Sequence, residues 1–307
     1  KLWNAARLVL SNLDGFEPGE IDVSDANLEL VDRWIMSRLS ETISRADTAM
    51  DSYNFSVAGK ALYQFFWGDF CDWYLELAKI RLYGGNPGER LAARAVSYRV
   101  LECSMRLLHP FMPFLTEELW QRLPGTGDSI MTAPWPSADD FKKDAPADEQ
   151  MSFIQSVVVG IRSARSEHAI PPSDKVEAVF VCDDDERLGL LTGKLPYLET
   201  LAGLGGTSFS READPGEYPM KAVVEGAEAY LSWESGVDPR EEIDRLARRL
   251  TKVEGELELT VSKLASDGFV TKAPPEVVER ERRKHQQLLE RRDKFNHQIE
   301  ALRNRSR

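Results

Sequence analysis

Apolar residues recur at helical spacing along the first 125 positions. Leu2, Ala6, Val9, Leu10 and Leu13 mark one face. Leu28, Val31, Ile35, Leu39, Ile43, Ala46 and Met50 mark a second, with Ser24 or Asp25 as the expected N-cap. From Phe55 to Tyr83 the chain is apolar on most sides, which predicts the most buried helix, stopped by Gly84-Gly85 and Pro87-Gly88. A fourth helix is expected from Glu89 to Leu108. His109-Pro110 and Pro113 then break the chain, and a short fifth helix starts at Thr116. Short connections between successive helices predict an antiparallel bundle.

The pattern then changes. Residues 129–150, rich in Pro, Asp and Ala, read as a linker that wraps the bundle surface. Met151 to Ser166 is helical, and Lys175 to Cys182 alternates with many valines, as a strand does. Two short helical pieces flank residues 194–204, and residues 208–214, 220–226 and 227–234 read as short strands. Asp183, Asp184 and Asp185 fit a strand-to-helix turn with capping carboxylates better than a metal site.

The last segment is the most regular. Ile243, Leu246, Leu250, Val253, Leu257 and Leu264 follow a heptad seam. Val278, Glu281, His285, Leu288, Arg292, Phe295, Ile299 and Leu302 follow another. Between them lie Gly268 and the Pro274-Pro275 pair that opens the second helix. Two such helices joined by a turn predict an antiparallel coiled-coil hairpin, each arm reaching on the order of 40 Å and projecting from the body. The expected fold is therefore mainly α in three segments: a helical bundle with its wrapping linker over 1–145, a small mixed α/β module over 146–237, and the hairpin over 238–307.

Charge adds an asymmetry. The 307-residue chain has a net charge of −12. Residues 238–307 nevertheless carry 17 Lys+Arg against 14 Asp+Glu, which leaves 22 against 37 for the rest. Lys272, Arg280, Arg282, Arg283 and Lys284 crowd near the tip of the arm. A basic tail on an acidic body fits a nucleic-acid contact, and the same count fits a solvated helix face. Glu281 and His285 weaken the second seam near that tip, which fits either splayed helices awaiting a partner or simple fraying.

Candidate chemistry is sparse. Three widely spaced cysteines (Cys71, Cys103, Cys182) form neither a disulfide framework nor a zinc set, and the four histidines form no metal motif. The phosphate-binding patterns GxGxxG and GxxxxGK[ST] do not occur. The aromatics Trp67, Phe70, Trp73 and Tyr74, at helical spacing, read as a core stripe; a base-stacking platform would require them to be exposed. No run of 18 apolar residues predicts a membrane helix. The first residues start inside an apparent helix without a Met, as a fragment of a longer chain would.

Several stretches resemble a known family. HPFMPFLTEELWQRLP followed by SIMTAPWP resembles the anticodon-binding bundle of class I aminoacyl-tRNA synthetases of the valine, isoleucine and leucine group. KLWNAARLVL, DRWIMSRL and FWGDFCDWYLELAK extend the likeness. IRSARSEHAIPPSDKVEAVFV and the arms around KLASDGFVTKAPPEVVERERRK are similar to the valyl-tRNA synthetase branch, and the Cys-rich zinc module common in the isoleucine branch has no counterpart. The resemblance implies recognition rather than catalysis, since the nucleotide-binding and editing domains of that family precede this region. It implies an anticodon pocket on Lys1, Asn4, Arg7, Leu8 and Leu75, with Leu8 standing where many members carry Phe. It implies contacts to the tRNA elbow from Phe269, Lys272, Val278, Arg280, Arg282, Arg283 and Lys284. Asp69, Asp72 and Glu76 are expected to pair with arginines such as Arg38 and Arg81.

The partner it implies is a valine tRNA, bound by a monomer away from membrane and DNA. No cofactor is expected in this chain, while ATP and magnesium would serve the full-length enzyme. The compartment is the cytoplasm, or the mitochondrial or plastid matrix if a transit peptide precedes. Two rivals are a leucine or isoleucine relative, and a bundle with coiled coil that serves as an interaction module or a non-charging tRNA binder.

Overall fold

The computed structural model describes residues 1–19, 28–168, 170–182, 184–210, 218, 220–224, 226–233, 239–265, 268 and 275–305. The protein is mainly α, with one four-stranded sheet. It forms two compact units, Lys1–Val158 with Asp184–Ala202, and Val159–Asp183 with Gly203–Arg307.

The first unit is helical: α1 (Leu2–Leu10), α2 (Leu30–Asp51), α3 (Phe55–Gln64), α4 (Leu75–Gly84), α5 (Pro87–Leu108), α6 (Pro113–Trp120), the start of α7 (Ala145–Glu167), α8 (Asp185–Gly193) and α9 (Leu195–Ala202). The apolar stripes read from the sequence face inward. Leu2, Ala6 and Val9 of α1 are buried, as are Val31, Ile35, Leu39, Ile43 and Ala46 of α2. The expected caps of α2, Ser24 and Asp25, lie outside the described residues. The helix begins at Leu30, with Glu29 as N-cap, whose backbone N–H donates to the Asp32 carboxylate at 3.0 Å. Helix α5 opens on Asn86 in a capping box with Glu89 and has Pro87 in its first turn. Helix α6 starts at Pro113, three residues before Thr116. Thr116 is fully buried; its hydroxyl donates to the Met112 carbonyl at 2.9 Å and lies 2.7 Å from His109 Nδ1.

The long helix predicted from Phe55 is interrupted in kind. Residues Phe65–Tyr74 are π-helical, joining α3 to α4. Such i→i+5 bonding is usually confined to one turn; here it spans ten residues. It carries an aromatic ladder in which Phe66, Phe70 and Tyr74 are fully buried, with ring centroids 5.4 and 5.7 Å apart. Below them Asp32 and Arg81 form a buried bidentate pair at 2.6 and 2.7 Å, and the Tyr74 hydroxyl donates to the same carboxylate at 3.0 Å. Burial works against the Arg81 charge, but the hydrogen bonds and charge of Asp32 outweigh it and raise its pKa further.

The second unit contains the end of α7, the sheet, α10 (Pro239–Leu264) and α11 (Pro275–Arg305). The sheet order is β2 (Leu204–Ser210), β1 (Val176–Val181), β4 (Ala227–Ser232), β3 (Met220–Val224). Strands β1 and β2 are parallel and the other two pairs antiparallel, with Phe180 opposite Ala229 and Ala222 opposite Ala229 on its other side. Arg165 locks this end of the unit. Its guanidinium donates to the carbonyls of Gly203 (2.9 Å), Pro171 (2.9 Å) and Asp174 (2.8 Å). Gly203 has φ +70°, and a Cβ there would stand 2.1 Å from Arg165 Nη1, so only glycine fits.

Helices α10 and α11 pack along one another through the predicted seams. Leu246, Val253 and Leu257 are buried on one side, and Val278, Leu288 and Ile299 on the other. The apolar seam of α10 skips from Leu257 to Leu264. The structure fills the gap with Thr260, 1% exposed, whose hydroxyl bonds back to the Glu256 carbonyl at 2.9 Å. Glu281, in the other seam, pairs with Lys263 of α10 at 3.4 Å.

Candidate nucleic-acid interface

In the first unit the surface that faces outward along α1 follows from its amphipathic turn. With Leu2, Ala5, Ala6 and Val9 inward, Lys1, Trp3, Asn4 and Arg7 are exposed and Leu8 is half-buried. The Lys1 ammonium bonds Asp72 at 2.5 Å, and that hydrogen bond raises its pKa. Asn12 ties the other end of this face together. Its amide donates to the Leu8 carbonyl at 2.9 Å and reaches the hydroxyl of Tyr83, a 63% exposed residue, at 3.5 Å.

Leu75 sits differently from the other four candidates. It is 3% exposed, a core side chain beneath the surface that Asp72 and Glu76 occupy. The acidic residues are indeed paired, though not all as expected. Asp69 accepts from Arg38 at 3.1 Å, Asp72 holds Lys1, and Glu76 holds Lys79 at 2.7 Å. Arg81 instead takes Asp32, 49 residues earlier, because only that carboxylate shares its buried position.

Sequence reasoning missed three aromatics on this unit. Trp3 is 42% exposed with the Arg122 guanidinium 5.2 Å from its ring centroid. Tyr83 is 63% exposed beside Asn12, and Tyr63 is 55% exposed with its ring stacked on Trp67. The four-residue step between Tyr63 and Trp67 was a usable signal for that last pair. Of the aromatic stripe, Phe70 and Tyr74 are core, while Trp67 and Trp73 are half-buried.

In the second unit, Arg280, Arg282, Arg283 and Lys284 are all exposed on α11. Arg283 lies 3.7 Å from Glu279, a solvated pair worth little. Val278 is 7% exposed and packs in the seam rather than on the surface. Phe269 and Lys272 lie outside the described residues.

Little else here can do covalent chemistry. Burial pushes the Cys71 thiol up to about 11 and the Cys103 thiol up to about 12, so both stay protonated near neutrality. No cluster of His, Cys, Asp and Glu among the described residues could hold a metal ion. A surface cleft of about 490 Å³ is lined by Tyr98, Arg99, Glu102 and Arg106. Within it Arg106 bonds Glu102 and the Pro134 carbonyl, each at 2.8 Å. No helix among the described residues is long and apolar enough to cross a membrane.

Comparison with known proteins bears on both surfaces. A family model described as the anticodon-binding domain of tRNA ligase matches residues 32–180, which leaves α1 outside the match. One described as the valyl tRNA synthetase tRNA binding arm matches residues 238–303, the α10–α11 segment. Valine–tRNA ligase of Oceanobacillus iheyensis is 37% identical over 302 residues, 98% of this chain and 34% of its own length. Those of Geobacillus kaustophilus and Bacillus subtilis are 39% and 38% identical over 293 residues, 95% of this chain and 33% of theirs. The chain thus spans about a third of the length of the curated relatives it matches. Over that span, the chain belongs to the valine–tRNA ligase family of aminoacyl-tRNA synthetases.

Proposed function

We propose that this chain is the tRNA-recognition portion of a valine–tRNA ligase, with two separate contacts. In this reading the helical unit is an anticodon-binding bundle that uses Lys1, Asn4, Arg7 and Leu8 on α1. Anticodon bases are unpaired, so they can be splayed onto flat or apolar side chains and bonded along their edges. Leu75 acts from beneath, by holding the turn that carries Asp72 and Glu76. Helices α10 and α11 form an antiparallel coiled-coil arm; the Lys263–Glu281 pair and the packing of Val253 and Leu257 on Leu288 support that direction. Arg280, Arg282, Arg283 and Lys284 brace the tRNA elbow by neutralising phosphates, which adds affinity and little sequence information. The acidic remainder of the chain repels RNA docked elsewhere.

The single observation that carries this reading is that one chain matches both an anticodon-binding domain and a tRNA-binding arm. The whole protein would join valine to its tRNA with ATP and magnesium and hydrolyse mischarged threonyl-tRNA, through domains beyond this chain. It would act as a monomer in the cytoplasm. The test is a titration of this chain against a valine tRNA transcript and one with the middle anticodon base changed, at two salt concentrations. Tighter binding to the first, partly lost in salt, is the expected result. Equal or undetectable binding of the two overturns the anticodon assignment.

A further inference from the structure

Tyr63 stands apart from the other exposed aromatics because its ring is already fixed. It lies 4.7 Å from the Trp67 ring at an interplanar angle of 17°, one helical turn away. Trp67 in turn meets the fully buried Phe66 edge-on, at 5.5 Å and 64°. Phe66 leads through Phe70 and Tyr74 to the Asp32–Arg81 pair. The stack that ends in Tyr63 is therefore rooted in the buried aromatic ladder of the unit. One ring face is covered by Trp67, and Tyr63 is still 55% exposed, so its other face is open to solvent.

The surroundings are those of an RNA contact. Lys60, three residues earlier on the same face of α3, is exposed, and no ion pair engages it among the described residues. Tyr63 and the α1 face proposed above for the anticodon belong to the same compact unit. Stacking of a base on an aromatic ring is tolerant of base identity, and a ring held in place beforehand loses little entropy on binding.

We propose that Tyr63, backed by Trp67, is a stacking platform for one unpaired base of the anticodon loop, with Lys60 meeting the phosphate beside it. This rests on the anticodon reading above and adds residues which that reading does not use. The test employs the whole 307-residue chain and the isolated valine anticodon stem-loop, intact and with single abasic positions in its loop. Tyr63→Ala is expected to weaken binding of the intact stem-loop roughly 5- to 150-fold, while Tyr63→Phe keeps it. One abasic position should weaken binding to the wild-type chain by a similar factor and cost Tyr63→Ala nothing further. Lys60→Ala should lower the salt dependence by about one phosphate contact.

Stem-loop binding that is tight in the wild type and unchanged in Tyr63→Ala overturns the platform while sparing the anticodon reading. A loss as large in Tyr63→Phe as in Tyr63→Ala also overturns it, since a hydroxyl bond rather than the ring would then be responsible. No stem-loop binding by the wild-type chain overturns both. The abasic series on wild-type protein decides the matter even if Tyr63→Ala misfolds: no single position that matters means no platform.

Discussion

The first unit and the α10–α11 pair handle buried polar groups in opposite ways. In the helical unit the Asp32 carboxylate receives four donors, from Arg81 twice, Tyr74 and the Glu29 backbone. These donors come from three residues on separate turns, which ties the carboxylate to one arrangement. In the helix pair, Thr260 is as deeply buried but bonds only within its own helix, and Glu281 meets Lys263 at 3.4 Å at a half-buried site. Thr260 costs stability without binding the two helices to each other, and the Lys263–Glu281 pair, whose lysine is more than half exposed, links them only weakly. The lesson is one of division of labour. The unit that carries the proposed contacts Asn4, Arg7 and Tyr63 is built on a core whose buried ion pair is fully bonded. A helix pair that presents a row of cations needs only length and spacing.

The comparison predicts its own failures. Asp32→Ala should have the largest effect, a loss of about 3–5 kcal/mol in urea unfolding of the helical unit, because Arg81 is left buried and unpaired. Replacing both partners, Asp32→Leu with Arg81→Met, should recover most of it; if it does not, the pair has a role beyond satisfying its own charges. Gly203→Ala should cost about 1–3 kcal/mol, through strain at φ +70° and the clash with Arg165. Next comes Arg280→Glu with Arg283→Glu, expected to weaken tRNA binding about tenfold at low salt, whatever the anticodon, and to flatten the salt dependence. Thr260→Val should stabilise the α10–α11 pair by roughly 1 kcal/mol, read as a higher melting midpoint of its helical signal. A loss instead would mean that the hydroxyl matters to the pairing.

The smallest effect concerns pH. Burial alone would raise the Glu29 pKa, but the Lys194 ammonium beside it wins and holds it below the usual glutamate range. A carboxylate whose folded pKa is depressed contributes stability that is fully present above its unfolded pKa and is lost as pH falls through the folded one. Lys194→Met should therefore remove a small part of the acid sensitivity, under about 1 kcal/mol for a partly exposed pair.

What the sequence revealed depended on whether the information was local. Helix faces such as Val31, Ile35, Leu39 and Ile43 were legible because burial there follows from spacing alone. The start of α2 was not, since Glu is a poor cap by itself and works here through Asp32. The partner of Arg81 is 49 residues away, and nothing in composition chooses Asp32 over the nearer Asp72 or Glu76. The π-helical stretch was hidden because a run that is apolar on all sides has no phase to read. At the candidate interface, Lys1, Asn4 and Arg7 on the exposed side of α1 agree with the face pattern. The exposure of Tyr63 and the burial of Leu75 depend on which neighbours cover them, and only the folded chain reveals that.

The π-helical stretch has one more consequence. With i→i+5 bonding the backbone takes up more residues per turn than an α-helix does. Residues 65–74 therefore hold slack. A deletion of one residue there can be absorbed by a return to α-helical bonding, leaving Tyr63 on one side and Arg81 on the other near their present bearings. The same deletion in α2 would turn every later side chain by about 100°. The stretch that carries the buried aromatic ladder is thus also the place where the unit's length is most easily edited.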